Sequence, residues 1–98
     1  MEKHKALRLL SGNFDHLQKN FAVSRLSIFG SVARDQATDK SDIDILVEFV
    51  GKATFDNYMN LKFYLQDILN TGVDLVTRKA LRPQIKEQIE KELINVKK

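Results

Sequence analysis

Three short β-prone runs, Val23–Phe29, Ile43–Phe49 and Val73–Thr77, alternate with stretches whose apolar residues recur at helical spacing. This alternation constrains the chain more than any other feature. Strands interleaved with helices fit neither a bundle nor a sandwich, and they predict an α/β domain around a small sheet. Leu7, Leu10, Phe14, Leu17 and Phe21 predict one amphipathic first helix, which Gly12-Asn13 weakens without changing its register. Gly30-Ser31 ends the first strand, residues 31–34 allow a short helical turn, and residues 35–41 read as a polar loop. A second helix spans Phe55–Leu69, with Tyr58, Leu61, Leu65 and Ile68 on one side and Phe55, Met59 and Phe63 on an adjoining one. That apolar arc is wide for a single buried stripe. Gly72 is expected to stop this helix. Pro83 suits the first turn of a last helix, in which Leu81, Ile85, Ile89 and Leu93 are spaced by four. Lys86 with Glu90, and Glu87 with Lys91, form i,i+4 pairs on its flanks. The expected order is αβ(α)βαβα.

At 98 residues and 43% apolar, the chain can bury one core, so residues 1–98 are expected to be a single domain without a closed two-domain cleft. No apolar run approaches the roughly 20 residues of a membrane helix, and residues 1–10 alternate charge and hydrophobe unlike a signal peptide. A cytoplasmic location is expected. The absence of cysteine excludes disulfides and thiolate zinc sites. The net charge of +3 is unevenly spread, with basic ends around an acidic middle. This disfavours a nucleic-acid binder with one continuous positive face. It fits a site where carboxylates gather and basic groups stand nearby for phosphate, although most of the terminal lysines simply solvate two helices.

The chemistry concentrates in Phe29-Gly30-Ser31-Val32-Ala33-Arg34 and Ser41-Asp42-Ile43-Asp44-Ile45-Leu46-Val47. Strand alternation puts Asp42 and Asp44 on one face and Ile43, Ile45 and Val47 on the other. Two carboxylates at i,i+2 repel, and a magnesium or manganese ion between them resolves the conflict. A loop-to-strand junction with Asp42 capping and Asp44 facing water is the plainer alternative. Gly30-Ser31 follows a strand, so its backbone N–H groups and hydroxyl can hold a phosphate oxygen, and Arg34 can reach the same anion; a plain turn and a surface arginine are the alternatives. Asp74 is a charge within an apolar strand and needs a partner or a function. If its strand lies beside that of Asp44, three carboxylates converge in a two-metal arrangement.

These residues together resemble the minimal nucleotidyltransferase (MNT) family of the DNA polymerase β superfamily. The likeness follows the element order of the whole chain, and its motif runs from Phe29 to Val47. It implies the polymerase β-like nucleotidyltransferase fold, a small mixed β-sheet flanked by helices. It also implies Asp42, Asp44 and Asp74 as catalytic ligands of two Mg²⁺ ions, with Asp74 assisting deprotonation. Gly30, Ser31 and Arg34 would bind the triphosphate of ATP. Members of the family are often antitoxins paired with a HEPN ribonuclease toxin, and active ones transfer AMP from ATP to a toxin tyrosine. One position departs from the pattern: Asp35 stands where the family usually has glycine, and if that position needs φ > 0, aspartate is among the less costly substitutes, though it adds charge near phosphate.

The resemblance thus implies a metal-dependent protein adenylyltransferase acting as an antitoxin toward a HEPN toxin partner. The alternative is an antitoxin that neutralises by binding alone, with its catalytic residues unused. Nucleotidyl transfer to a small molecule is disfavoured, because such enzymes carry an additional domain. His4 and His16 are expected on the surface, and Tyr58 and Tyr64 in the core or an interface.

Overall fold

The computed structural model describes residues 1–38 and 42–97. Its elements in chain order are α1 (Lys3–Gly12), α2 (Phe14–Phe21), β1 (Val23–Phe29), α3 (Gly30–Ala33), β2 (Ile43–Phe49) and α4 (Phe55–Leu69). They are followed by β3 (Val73–Thr77), a 3-10 turn (Arg78–Ala80), α5 (Pro83–Glu92) and β4 (Ile94–Asn95). The α/β expectation and the bounds of β1, β2, β3 and α4 agree with the sequence reading.

The strands form one mixed sheet in the order β3-β2-β1-β4. β1 runs antiparallel to both β2 and β4, whereas β2 and β3 are parallel, with α4 as the crossover between them. Paired residues share a sheet face, so register sorts the side chains. Leu26 opposite Val47, Ile28 opposite Ile45, Ile43 opposite Val73 and Ile45 opposite Leu75 are all buried. They meet Ala6, Leu10, Phe14, Leu17, Leu61, Leu65 and Leu69 from α1, α2 and α4 in one core. Burial of these aliphatic groups is the main stabilising term. The opposite face carries Phe29, Asp44 and Asp74 in adjacent register, with α3 packed against β1 and β2 and α5 against α3.

Four local expectations are corrected. The first amphipathic stretch is two helices, because the Asn13 backbone leaves helical geometry (φ −106°, ψ 5°) and its side-chain amide bonds back to the Leu9 carbonyl. Leu10, Phe14 and Leu17 still reach the core. Asn70, not Gly72, ends α4, since it adopts the left-handed conformation at φ 52°. α5 buries none of its residues, and Ile85 is exposed. Of its expected ion pairs, Glu87–Lys91 stands at 4.0 Å, while Glu90 turns to Arg78 at 2.5 Å. The edge strand β4 is too short to show in a sequence pattern.

Candidate active site

The site forms where β1 ends and β2 and β3 begin. Asp44 lies opposite Phe29 on one side and Asp74 on the other, so the parallel β2–β3 register brings two carboxylates side by side. Asp44 is half-buried and its pKa is pushed up to about 6, first by burial and then by the negative charge of Asp74. Asp42 adds to this repulsion, and Arg34 opposes it. Asp74 itself is exposed on the edge strand β3. The charge within an apolar strand thus stands at the edge of the sheet, beside a second carboxylate.

Two glycines make room for the aspartates. A Cβ on Gly30, which has φ +73°, would lie 2.0 Å from Asp44 Oδ2. A Cβ on Gly72 would lie 2.2 Å from Asp42 Oδ1. Asp42 precedes β2, where the Ile43 amide donates to the Gly72 carbonyl at 3.0 Å. No side chain can stand in either place without moving a carboxylate. Gly72 was legible only as a helix stop, because its approach to Asp42 comes from the β2–β3 pairing.

Gly30 opens α3 directly after β1, and Ser31 is half-buried in its first turn. Arg34 caps α3, with its amide donating to the Gly30 carbonyl at 3.1 Å. Its guanidinium meets Gln36 Oε1 from Nε at 3.1 Å and Glu92 Oε1 from Nη1 at 2.9 Å. The second oxygen of Glu92 accepts from the Gly30 amide at 3.3 Å. Glu92 went unnoticed in the sequence, although it differs from Glu87 and Glu90 in having no lysine at i±4.

Asp35 follows with φ 57° and pairs with Lys3 at 3.0 Å. The positive φ considered for this position is present, and aspartate adopts it. Ser41, the other end of the motif, lies outside the described residues. His4 is exposed; His16 is also exposed and stacks on Tyr64 with ring centroids 4.9 Å apart.

The donor set tests the fit to magnesium. It is all carboxylate, hard oxygen chemistry, and its mutual repulsion is expressed in the raised Asp44 pKa. Among the described residues no three acidic or histidine side chains already stand in a closed ligand cluster. The expected convergence of Asp42, Asp44 and Asp74 is therefore not a preformed three-ligand site among the described residues, although their oxygens are the donor type that magnesium prefers.

Comparison with known proteins bears on this geometry. The family model Polymerase beta, Nucleotidyltransferase matches residues 14–98. An assigned protein adenylyltransferase of Methanocaldococcus jannaschii is 41% identical over 97 residues, covering 98% of this chain and 90% of its own. Protein adenylyltransferase MntA of Thermococcus cleftensis is 32% identical over 88 residues, covering 90% of this chain and 89% of its own. A solved structure described as a minimal nucleotidyltransferase superposes with TM-score 0.81 at 34% identity, over 96% of this chain and 95% of that one. A toxin–antitoxin structure with AMP-PNP superposes with TM-score 0.71 at 20% identity, over 88% of this chain and 71% of that one, a likeness of fold. With its mixed sheet, its acidic strand pair and a family match over most of its length, the chain belongs to the polymerase β nucleotidyltransferase family, among the minimal nucleotidyltransferases.

Proposed function

We propose that the chain transfers AMP from ATP to a hydroxyl of a protein partner, a tyrosine of a HEPN toxin, and acts as its antitoxin. The observation that carries this reading is the Asp44–Asp74 pair at the sheet end, with the Gly30 backbone directly over Asp44. The MntA name of one relative and the toxin–antitoxin complex with AMP-PNP support it.

Asp42, Asp44 and Asp74 would hold Mg²⁺, which when bound neutralises phosphate charge and favours the ionised carboxylates. The Gly30 amide, the Ser31 hydroxyl and the Arg34 guanidinium bind and orient the triphosphate. Asp74, exposed at the edge of the sheet, would accept the proton of the incoming hydroxyl. The hydroxyl oxygen forms a bond to the α-phosphorus, the bond from that phosphorus to the β-phosphate bridging oxygen breaks, and pyrophosphate leaves with its electron pair. The acceptor comes from outside. Val50, Phe55 and Phe63 are 66%, 75% and 54% exposed, apolar side chains that a protein partner would cover.

Those same apolar side chains support the second reading, neutralisation by binding alone. The two separate in one experiment. The chain is incubated with its cognate HEPN toxin, ATP and Mg²⁺, and the toxin is weighed by mass spectrometry and mapped. AMP on a tyrosine, absent with chelator and with the Asp42→Asn/Asp44→Asn double variant, is expected. Full neutralisation of an unmodified toxin by that double variant overturns the transfer reading.

A further inference from the structure

Two of the three groups assigned above to phosphate, the Gly30 amide and the Arg34 guanidinium, are already engaged by one side chain. Glu92 is the last residue of α5, and its two oxygens are divided between the Arg34 guanidinium, at 2.9 Å, and the Gly30 amide, at 3.3 Å. A carboxylate that bridges an amide and a guanidinium presents the same chemistry as two oxygens of a phosphate: delocalised negative charge and acceptors only. The attachment of Glu92 is light. α5 buries none of its residues, the Arg34–Glu92 pair is partly exposed, and rotation of one side chain would free the cradle.

We propose that Glu92 is a built-in competitor for the phosphate position, so that nucleotide binds only after displacing it. This rests on the reading of Gly30 and Arg34 as the phosphate cradle. Glu92 then sets the affinity for nucleotide rather than the chemistry of transfer. A cradle closed about nine-tenths of the time weakens apparent binding about tenfold. Displaced from Arg34, Glu92 also releases α5 from α3, which couples phosphate binding to the attachment of the C-terminal helix.

The test uses the full chain and inorganic tripolyphosphate at fixed ionic strength, followed by calorimetry and by the Gly30 amide resonance. Glu92→Gln keeps the shape and removes the charge. It is expected to bind tripolyphosphate about five- to tenfold more tightly than wild type, and its ligand-free Gly30 amide resonance is expected to move. Glu87→Gln, on the exposed flank of the same helix, is expected to change neither. Should Glu92→Gln unfold, Glu92→Asp carries the comparison, since its shorter side chain loses reach and is expected to bind more tightly than wild type. Equal or weaker binding by the Glu92 variant overturns the proposal, as does absence of binding by every variant. AMP transfer is measured separately. Tighter binding by the variant without any transfer by wild type removes the transferase reading and leaves the competitor standing; transfer by wild type with unchanged variant affinity does the reverse.

Discussion

Asp44 and Asp74 occupy the same register position on the parallel strands β2 and β3, which sets the half-buried Asp44 carboxyl beside the exposed Asp74 at the end of the sheet. Residues 30 apart in sequence thereby form one acidic pair, whose repulsion raises the Asp44 pKa and would be relieved by a proton or a cation. This relationship explains why the same strand ends that build the core also carry the site.

Stability should depend on pH through this pair. Burial, and then the Asp74 charge, raise the Asp44 pKa from 3.8 to about 6, so the folded chain holds a proton that the unfolded chain releases. The resulting stabilisation is complete below pH 3.8 and is lost as pH rises through about 6. Because Asp44 is only half-buried, screening holds the effect to on the order of 1 kcal/mol. Urea unfolding of wild type against Asp44→Asn from pH 4 to 7 is expected to show this decline in wild type only. A parallel pair of curves would contradict it.

Gly30→Ala should be costly where Gly12→Ala is not. The Gly30 Cβ would meet Asp44 Oδ2 at 2.0 Å, and the position has φ +73°. Destabilisation of about 1–3 kcal/mol is expected, together with loss of nucleotide binding. Gly12 has no atom within 4 Å of its Cβ position, so alanine there should leave stability equal or raise it by about 0.5 kcal/mol. Thermal melts of the two variants decide the matter.

Asp35 should tolerate glycine and resist valine. Its φ of 57° penalises a β-branched side chain by about 1–2 kcal/mol, which Asp35→Val is expected to lose. Asp35→Gly gains backbone freedom in the folded form but loses the exposed Lys3 pair, leaving stability within about 0.5 kcal/mol. Chemical denaturation that ranks the two variants equally would show that this conformation carries no cost.

Asp74→Asn tests the enzyme reading where it is most exposed. The side chain lies at the surface of the edge strand, so the nearly isosteric amide should leave the fold intact. AMP transfer is expected to fall by at least about a hundredfold, the scale associated with loss of a positioned proton acceptor. Partner binding, measured in the same samples, is expected to remain close to wild type. A variant that still modifies its partner at the wild-type rate would exclude Asp74 from the reaction.

Local pattern was enough for the strands Val23–Phe29, Ile43–Phe49 and Val73–Thr77 and for the helix Phe55–Leu69, because alternation and helical spacing are properties of neighbouring residues. The motif residues Gly30, Asp42 and Asp44 stood out for the same reason, being clustered along the chain. Pairing across distance belongs to the tertiary structure. The strand order β3-β2-β1-β4 set Asp74 beside Asp44, and the β2–β3 junction brought Gly72 against Asp42. The return of α5 carried Glu92 to Arg34, 58 residues away. Packing also decided what periodicity left open: Ile85 and Ile89 follow a regular helical spacing, yet no large apolar layer covers α5, and none of its residues is buried. Hydrophobic spacing specifies which faces can be buried; only the folded chain determines which of them find a partner and which charges must share a site.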